Sequence, residues 1–250
     1  MRILSPMVIL LLAAATVLHS QAANEWQNPD EVTPAKKPAM PARAPAPART
    51  AAPAPAPAPD PALSGQLSLQ VIRVCDYQLS YVDKGSGGKI DGSFYLPNIP
   101  GGYAMIGAYA QGNYHDPSDC ILAVKPANPE SISLLQVPQE WKRLWTDKGS
   151  GASMDGSIWH ASPASNNYVC LGSIARQGHK NPALENYVCV HRCLVENVPA
   201  ISPVWSTRGT GAEQKVYVYK LHNSNSFYAV TNNMPPASLL DIKGSLTCTF

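Results

Sequence analysis

Two pairs of carboxylates stand out by type and spacing. Asp83 and Asp91 lie eight residues apart across Lys84-Gly-Ser-Gly-Gly-Lys89, and Asp147 and Asp155 repeat that spacing across Lys148-Gly-Ser-Gly-Ala-Ser153. A hairpin folded at the glycines brings the two acids of a pair together. Such a pair suits a hard cation such as Ca²⁺, which takes several oxygen ligands, or sugar hydroxyls, which carboxylates accept. Tyr81, Tyr95, Trp145 and Trp159 flank the same turns and offer flat rings on which a sugar stacks. These eight residues form the candidate ligand site. The competing reading has Asp83 and Asp147 bonding turn amides, Asp91 and Asp155 opening the next strand, and the rings filling a core. Residue type favours the competing reading, because aspartate is common in turns and large aromatics dominate cores.

Catalysis finds less support. A glycosidase needs two carboxyls roughly 5 to 10 Å apart in one cleft, with one held protonated. Here the pairs are duplicated, which does not suit a single asymmetric active site. Cys170 or Cys189 with His179 or His191 draws a dyad on paper, but no local signature of a cysteine enzyme surrounds them. Gly85-Ser-Gly-Gly-Lys89 lacks the spacing of a phosphate loop, and no helix follows it. No catalytic residue is assigned, and the chain reads as a non-enzyme.

The six cysteines are Cys75, Cys120, Cys170, Cys189, Cys193 and Cys248. Their spacing does not suit a four-coordinate zinc site. An even number beyond an export signal points to disulfides, with fifteen pairings open. Cys75 with Cys248 is the expected closing bridge, because the first and last strands of a closed β ring share a sheet.

Export is read from the N-terminus. Met1-Arg2 is a short positive region, Ile9 to Val17 is apolar but too short to span a bilayer, and Ser20-Gln21-Ala22 offers small residues to a signal peptidase. Cleavage is expected after Ala22, with Ala23 as the second choice, giving a secreted or periplasmic protein without a transmembrane segment in the mature chain. Residues 23–65 are a disordered Pro/Ala-rich linker with too little apolar surface to offset its ordering entropy. Alternating Pro and Ala favours polyproline II, extending about 3 Å per residue. Only 14% of residues are charged and the net charge is +2, which excludes the basic field that nucleic acid requires.

From residue 66 onward, short runs rich in Val, Ile, Tyr and Leu alternate with Gly, Asn, Pro and Ser, the texture of an all-β domain. Three copies of one unit are visible. Tyr81-Val-Asp-Lys-Gly-Ser-Gly aligns without gaps on Trp145-Thr-Asp-Lys-Gly-Ser-Gly and on Trp205-Ser-Thr-Arg-Gly-Thr-Gly. Downstream, Gly102–Gly107 corresponds to Asn167–Gly172, and Phe227-Tyr-Ala-Val230 is assigned the same place in the third copy. The copies span about 66–130, 131–199 and 200–250. Each reads as four strands, whose apolar face needs covering by the other copies. The fold expected is a β-prism of three pseudo-symmetric four-stranded repeats.

Trp145-x-Asp-x-Gly-Ser-Gly-Ala-x-x-Asp-x-Ser-Ile-Trp159, with the aromatic-Val-x-Leu-Gly segment ending at Gly172, resembles the repeat of the vacuolar protein sorting-associated protein 62 family. The resemblance covers Leu67 to Leu246. It implies recognition rather than turnover, since that family has no agreed catalytic residues. Related repeats serve as adaptor-binding modules, and similar prism-like modules target pore-forming toxins. The third copy departs from the motif: Thr207 and Lys215 replace the two acids, leaving two acidic pairs. The function expected is an exported recognition module for a glycan, lipid headgroup or protein, with Ca²⁺ as the one cofactor considered. A membrane-targeting toxin or secreted effector component is the alternative, and a glycoside hydrolase the second.

Overall fold

The computed structural model describes residues 66–183, 186–231 and 236–250. The expected signal peptide and Pro/Ala linker lie outside the described residues. The described residues are nearly all β. The first copy runs β1 (Leu67–Val74), β2 (Tyr77–Val82), β3 (Ser93–Pro97), β4 (Ala104–Met105), β5 (Tyr109–Gln111) and β6 (Ile121–Pro126). A 3-10 turn at Pro129–Leu134 follows, its first turn capped by Asn128, whose Oδ1 accepts the Ser131 amide at 2.9 Å. The second copy continues with β7 (Leu135–Gln136), β8 (Glu140–Thr146), β9 (Gly156–Ser162), β10 (Tyr168–Val169), β11 (Ile174–Gln177) and β12 (Cys189–His191). The third comprises β13 (Val195–Pro199), β14 (Trp205–Ser206), β15 (Tyr217–Lys220), β16 (Phe227–Val230), β17 (Ser238–Ile242) and β18 (Thr247–Cys248), so it begins by Val195, earlier than the expected boundary at residue 200, because β13 pairs with β17 of the same copy.

The strands divide into two sets of sheets. Three three-stranded sheets, β2-β3-β5, β8-β9-β11 and β14-β15-β16, each carry one Gly-Ser-Gly or Gly-Thr-Gly turn. The other set comprises β18-β1-β6-β4, β10-β12-β7 and β13-β17. The first two copies each feed two sheets, and the third feeds a further one through β18, so no copy forms one four-stranded unit. The reason is the crossing at Gly107 and Gly172, where the chain leaves one sheet for another. The flanking β4 and β10 have two residues each, too few for alternation to show.

At that crossing the copies lock together. Ala108 N–H donates to Ser173 O at 3.1 Å, Ser173 N–H to Phe227 O at 2.7 Å, and Phe227 N–H to Ala108 O at 2.9 Å. Three positions, one per copy, thus close a cycle of backbone hydrogen bonds, and all three are buried. Gly107 and Gly172 precede two of these positions and touch backbone to backbone, an approach that a Cβ forbids. The cycle also corrects the third-copy alignment. β16 pairs with β15 (Val218↔Ala229) as β5 pairs with β3 (Phe94↔Ala110) and β11 with β9 (Ala175↔Ile158). Phe227–Val230 is therefore the partner of Ala108–Gln111, and Leu221–Ser226 takes the place of Gly102–Gly107.

Bulges steer the aromatics inward. The register shifts between Leu79 and Tyr81, and between Arg143 and Trp145, so one extra residue re-phases each strand. Tyr81, Trp145 and Trp205 then meet at ring-centroid distances of 5.7, 5.5 and 6.5 Å, each in contact with the other two. Phe94 packs edge-on against Trp205 and Phe227.

The first and last strands share a sheet, with Leu67↔Cys248 and Ser68↔Thr247 in register. The expected Cys75–Cys248 bridge nevertheless does not form. Cys248 sits opposite Leu67 at the start of β1, whereas Cys75 follows its far end, roughly 26 Å away at the strand rise of about 3.3 Å per residue. Cys75 instead bonds Cys120, beside the Val74↔Ile121 pair. Cys170 bonds Cys189, and Cys193 bonds Cys248. Three disulfides are typical of extracellular proteins.

Candidate functional site

The three turns share one hydrogen-bond plan. Asp83 accepts the Gly92 amide through Oδ1 at 2.7 Å, Asp147 accepts the Gly156 amide at 3.0 Å, and Thr207 Oγ1 accepts the Val216 amide at 3.1 Å. Ser86, Ser150 and Thr210 hydroxyls accept the amides of Gly88, Ala152 and Ala212. Gly85, Gly149 and Gly209 take φ of +90°, +75° and +92°, the left-handed region where a Cβ is strained. The Asp-x-Gly-Ser-Gly motif is thus a recipe for a closed turn. Thr207 preserves the one function that position needs, an acceptor.

The turns also grip one another. Lys89 N–H donates to Arg208 O at 2.9 Å, Ser153 N–H to Lys84 O at 2.8 Å, and Glu213 N–H to Lys148 O at 3.0 Å. Each copy hands one bond to the next. The three turn tips therefore sit together at one end, with Lys84, Lys148 and Arg208 in equivalent exposed places.

The candidate ligand residues separate into two groups. Asp83 and Asp147 are 1% and 7% exposed. Besides the Gly92 amide, Asp83 accepts Trp205 Nε1–H at 2.8 Å, Ser86 Oγ–H at 3.1 Å and Tyr114 Oη–H at 2.8 Å. His179 Nε2 lies 2.7 Å from Asp147 Oδ1. Asp91 and Asp155 are exposed. In each pair, then, one acid is enclosed and engaged and the other faces solvent. Tyr81, Trp145, Trp159 and Tyr95 are buried, so they offer no ring face for a sugar. Gly92 and Gly156 are needed because the Trp205 indole and the Tyr81 ring lie directly over them.

Tyr114 carries no motif in the sequence, and His179 reads there only as a partner for a cysteine. Both lie in loops after β5 and β11 and are joined to the turns only in space. Burial pushes the Tyr114 phenol well above its usual range, helped by its bond to Asp83 and the charge of Asp91. His160, on β9, is driven down to about 4 by burial, and its Nε2 finds no hydrogen-bond partner among the described residues. His191 Nδ1 lies 3.0 Å from Cys193 Sγ, but that sulfur is already bonded to Cys248. Every cysteine is oxidised, so no thiol nucleophile is present.

Three concave regions accompany the turns. A groove of about 420 Å³ runs between β2 and β11, lined by Leu79, Leu96, Met105, Ile174 and Arg176 among others. A shallower depression lies between Met154, Asp155 and Gly178. The third turn holds a pocket of about 370 Å³ between Arg208, Gly209, Thr210, Lys215 and Tyr217. Among the described residues, no helix is long and apolar enough to cross a membrane.

Comparison with known proteins agrees with this layout. No curated protein matches the chain. Among solved structures, GNIP1Aa from Chromobacterium piscinae superposes with a TM-score of 0.59 at 28% identity, over 73% of this chain and 37% of that one. This chain therefore spans little more than a third of GNIP1Aa. The profile of the vacuolar protein sorting-associated protein 62 family matches residues 61–231, taking in all three turns and both rings of backbone bonds. With well over half its length so matched, the chain belongs to the vacuolar protein sorting-associated protein 62 family.

Proposed function

We propose that this chain is an exported, non-catalytic recognition module. In this reading its three copies form a β-prism-like body that presents turns and grooves to a glycan, a lipid headgroup or a protein. One observation carries the reading. The residues best equipped for chemistry, Asp83 and Asp147, are occupied in holding backbone amides of the turns. The flanking aromatics are likewise enclosed in the core. What each copy leaves exposed is a turn tip, a shallow surface suited to contact with a partner. Family membership supports the same reading, as do the three disulfides for an exported protein.

The test is a binding screen of the oxidised full-length mature protein on glycan and lipid arrays, with calcium and again with chelator. Selective retention supports the module. Turnover of a glycoside panel with no retention on any surface would replace it with a hydrolase. The second reading is a membrane-targeting toxin or effector component, in which this fold would serve as one part of a larger assembly, as the matched 37% of GNIP1Aa is part of a longer chain. Liposome retention combined with leakage would select it.

A further inference from the structure

The third turn differs from the other two in charge as well as sequence. Where the first two copies place Asp83 with Asp91 and Asp147 with Asp155, the third places Thr207 and Lys215. The hydrogen-bond plan survives this change, because Thr207 Oγ1 still accepts the Val216 amide at 3.1 Å. The scaffold is therefore the same, while the exposed charge at the position of Asp91 and Asp155 changes sign to that of Lys215.

At this turn the surface closes into the pocket of about 370 Å³ lined by Arg208, Lys215, Thr210 and Tyr217. Among the described residues, no carboxylate lines it. Arg208 and Lys215 are exposed, and neither forms an ion pair among the described residues. A third cation, Lys89 of the first copy, lies against Gly209 at the pocket's edge. The nearest acid in the turn, Glu213, is engaged by Lys148 at 3.2 Å. A planar guanidinium and an ammonium around a concave, hydroxyl-bearing wall match a phosphoryl group. The volume exceeds that of bare phosphate and falls within the range of small-ligand sites, so a sugar ring has room beside it.

We infer that the third turn is a binding site for a phosphorylated polyol, with Arg208 and Lys215 holding the phosphoryl oxygens and Tyr217 flanking the ring. This inference rests on the recognition-module reading and assigns its ligand class. Inositol monophosphate, free or displayed on a lipid, supplies the chemistry. The first and second copies place the exposed carboxylates Asp91 and Asp155 where the third places Lys215, so one site per chain is expected.

The experiment is calorimetric titration of the oxidised full-length mature protein with inositol monophosphate. It is paired with co-sedimentation on phosphatidylcholine vesicles with and without phosphatidylinositol monophosphate. Arg208→Ala and Lys215→Asp each lower affinity about tenfold or more, the loss of one charge-assisted contact. Lys84→Ala, the equivalent change in the first copy, leaves affinity unaltered. Binding weakens as salt rises. Circular dichroism shows both exposed-site variants folded. Binding of the free headgroup alone identifies a soluble or glycan-borne phosphate; binding of vesicles as well identifies a lipid. Absence of both, or affinity that survives Lys215→Asp, overturns the site. If the arrays still show retention on an uncharged glycan, the module stands without it.

Discussion

Trp205 in the third copy donates its indole N–H to the Asp83 carboxylate of the first at 2.8 Å, across 122 residues of chain. The same carboxylate holds the Gly92 amide, the Ser86 hydroxyl and the Tyr114 phenol. One buried acid thus ties a turn, a loop and a neighbouring copy. Its removal leaves four donors short of their acceptor.

Asp83→Ala is expected to destabilise by about 3 kcal/mol or more, the range for stranding a buried charged hydrogen-bond network. Asp91→Ala, at an exposed position, is expected to change stability by no more than about 0.5 kcal/mol. Urea midpoints on the oxidised proteins decide the matter. Equal, small effects would return Asp83 to the role of a ligand residue.

Gly92→Ala and Gly156→Ala place a methyl inside the space of the Trp205 and Tyr81 rings. Overpacking of that kind costs typically 1–3 kcal/mol and about the upper figure is expected here, because both rings are wedged in the shared aromatic cluster. Gly101→Ala meets nothing within 4 Å. Its melting temperature should stay near that of the parent, while the other two fall by several degrees.

Non-reducing peptide mapping should recover Cys75 with Cys120, Cys170 with Cys189, and Cys193 with Cys248. Replacing Cys193 and Cys248 by Ser releases the longest loop, 55 residues. By loop-closure entropy that loss is about 4 kcal/mol, against about 3 for the 19-residue Cys170–Cys189 loop. A larger loss from the shorter loop would point to strand docking, not chain entropy, as the source.

Acid should weaken the fold through His160. Its folded value of about 4 lies below the ordinary 6.5, so the unfolded chain takes up the proton first. Stability is full above pH 6.5, declines as pH falls towards 4, and does not change further below that through this residue. The total is on the order of 3 kcal/mol. His160→Phe fills the same space against Tyr228, whose ring centroid is 4.5 Å away, and should flatten that part of the pH profile. An unchanged slope in the variant would assign the acid sensitivity elsewhere.

Much of this was legible in the residues. Alternation and turn composition announce an all-β chain, and the triplicated motif announces three linked units. The turn role of Asp83 and Asp147 follows from how aspartate behaves beside glycine. What stayed hidden depends on which sheet a strand joins. The two residues of β4 carry no periodicity, and Phe227–Val230 resembles Gly102–Gly107 in composition while occupying the place of Ala108–Gln111. Cysteine order cannot show that β18 pairs with the start of β1 and leaves Cys75 at the other end. Tyr114 and His179 reach the turns only through folded loops.

The cycle of bonds through Ala108, Ser173 and Phe227 makes every copy both donor and acceptor to its neighbours. In an open array of repeats, deleting a terminal unit subtracts one increment and leaves the rest standing. Here deletion breaks two links at once and opens the aromatic cluster to water. No copy is terminal in that cycle, so none can be lost from the chain without opening it.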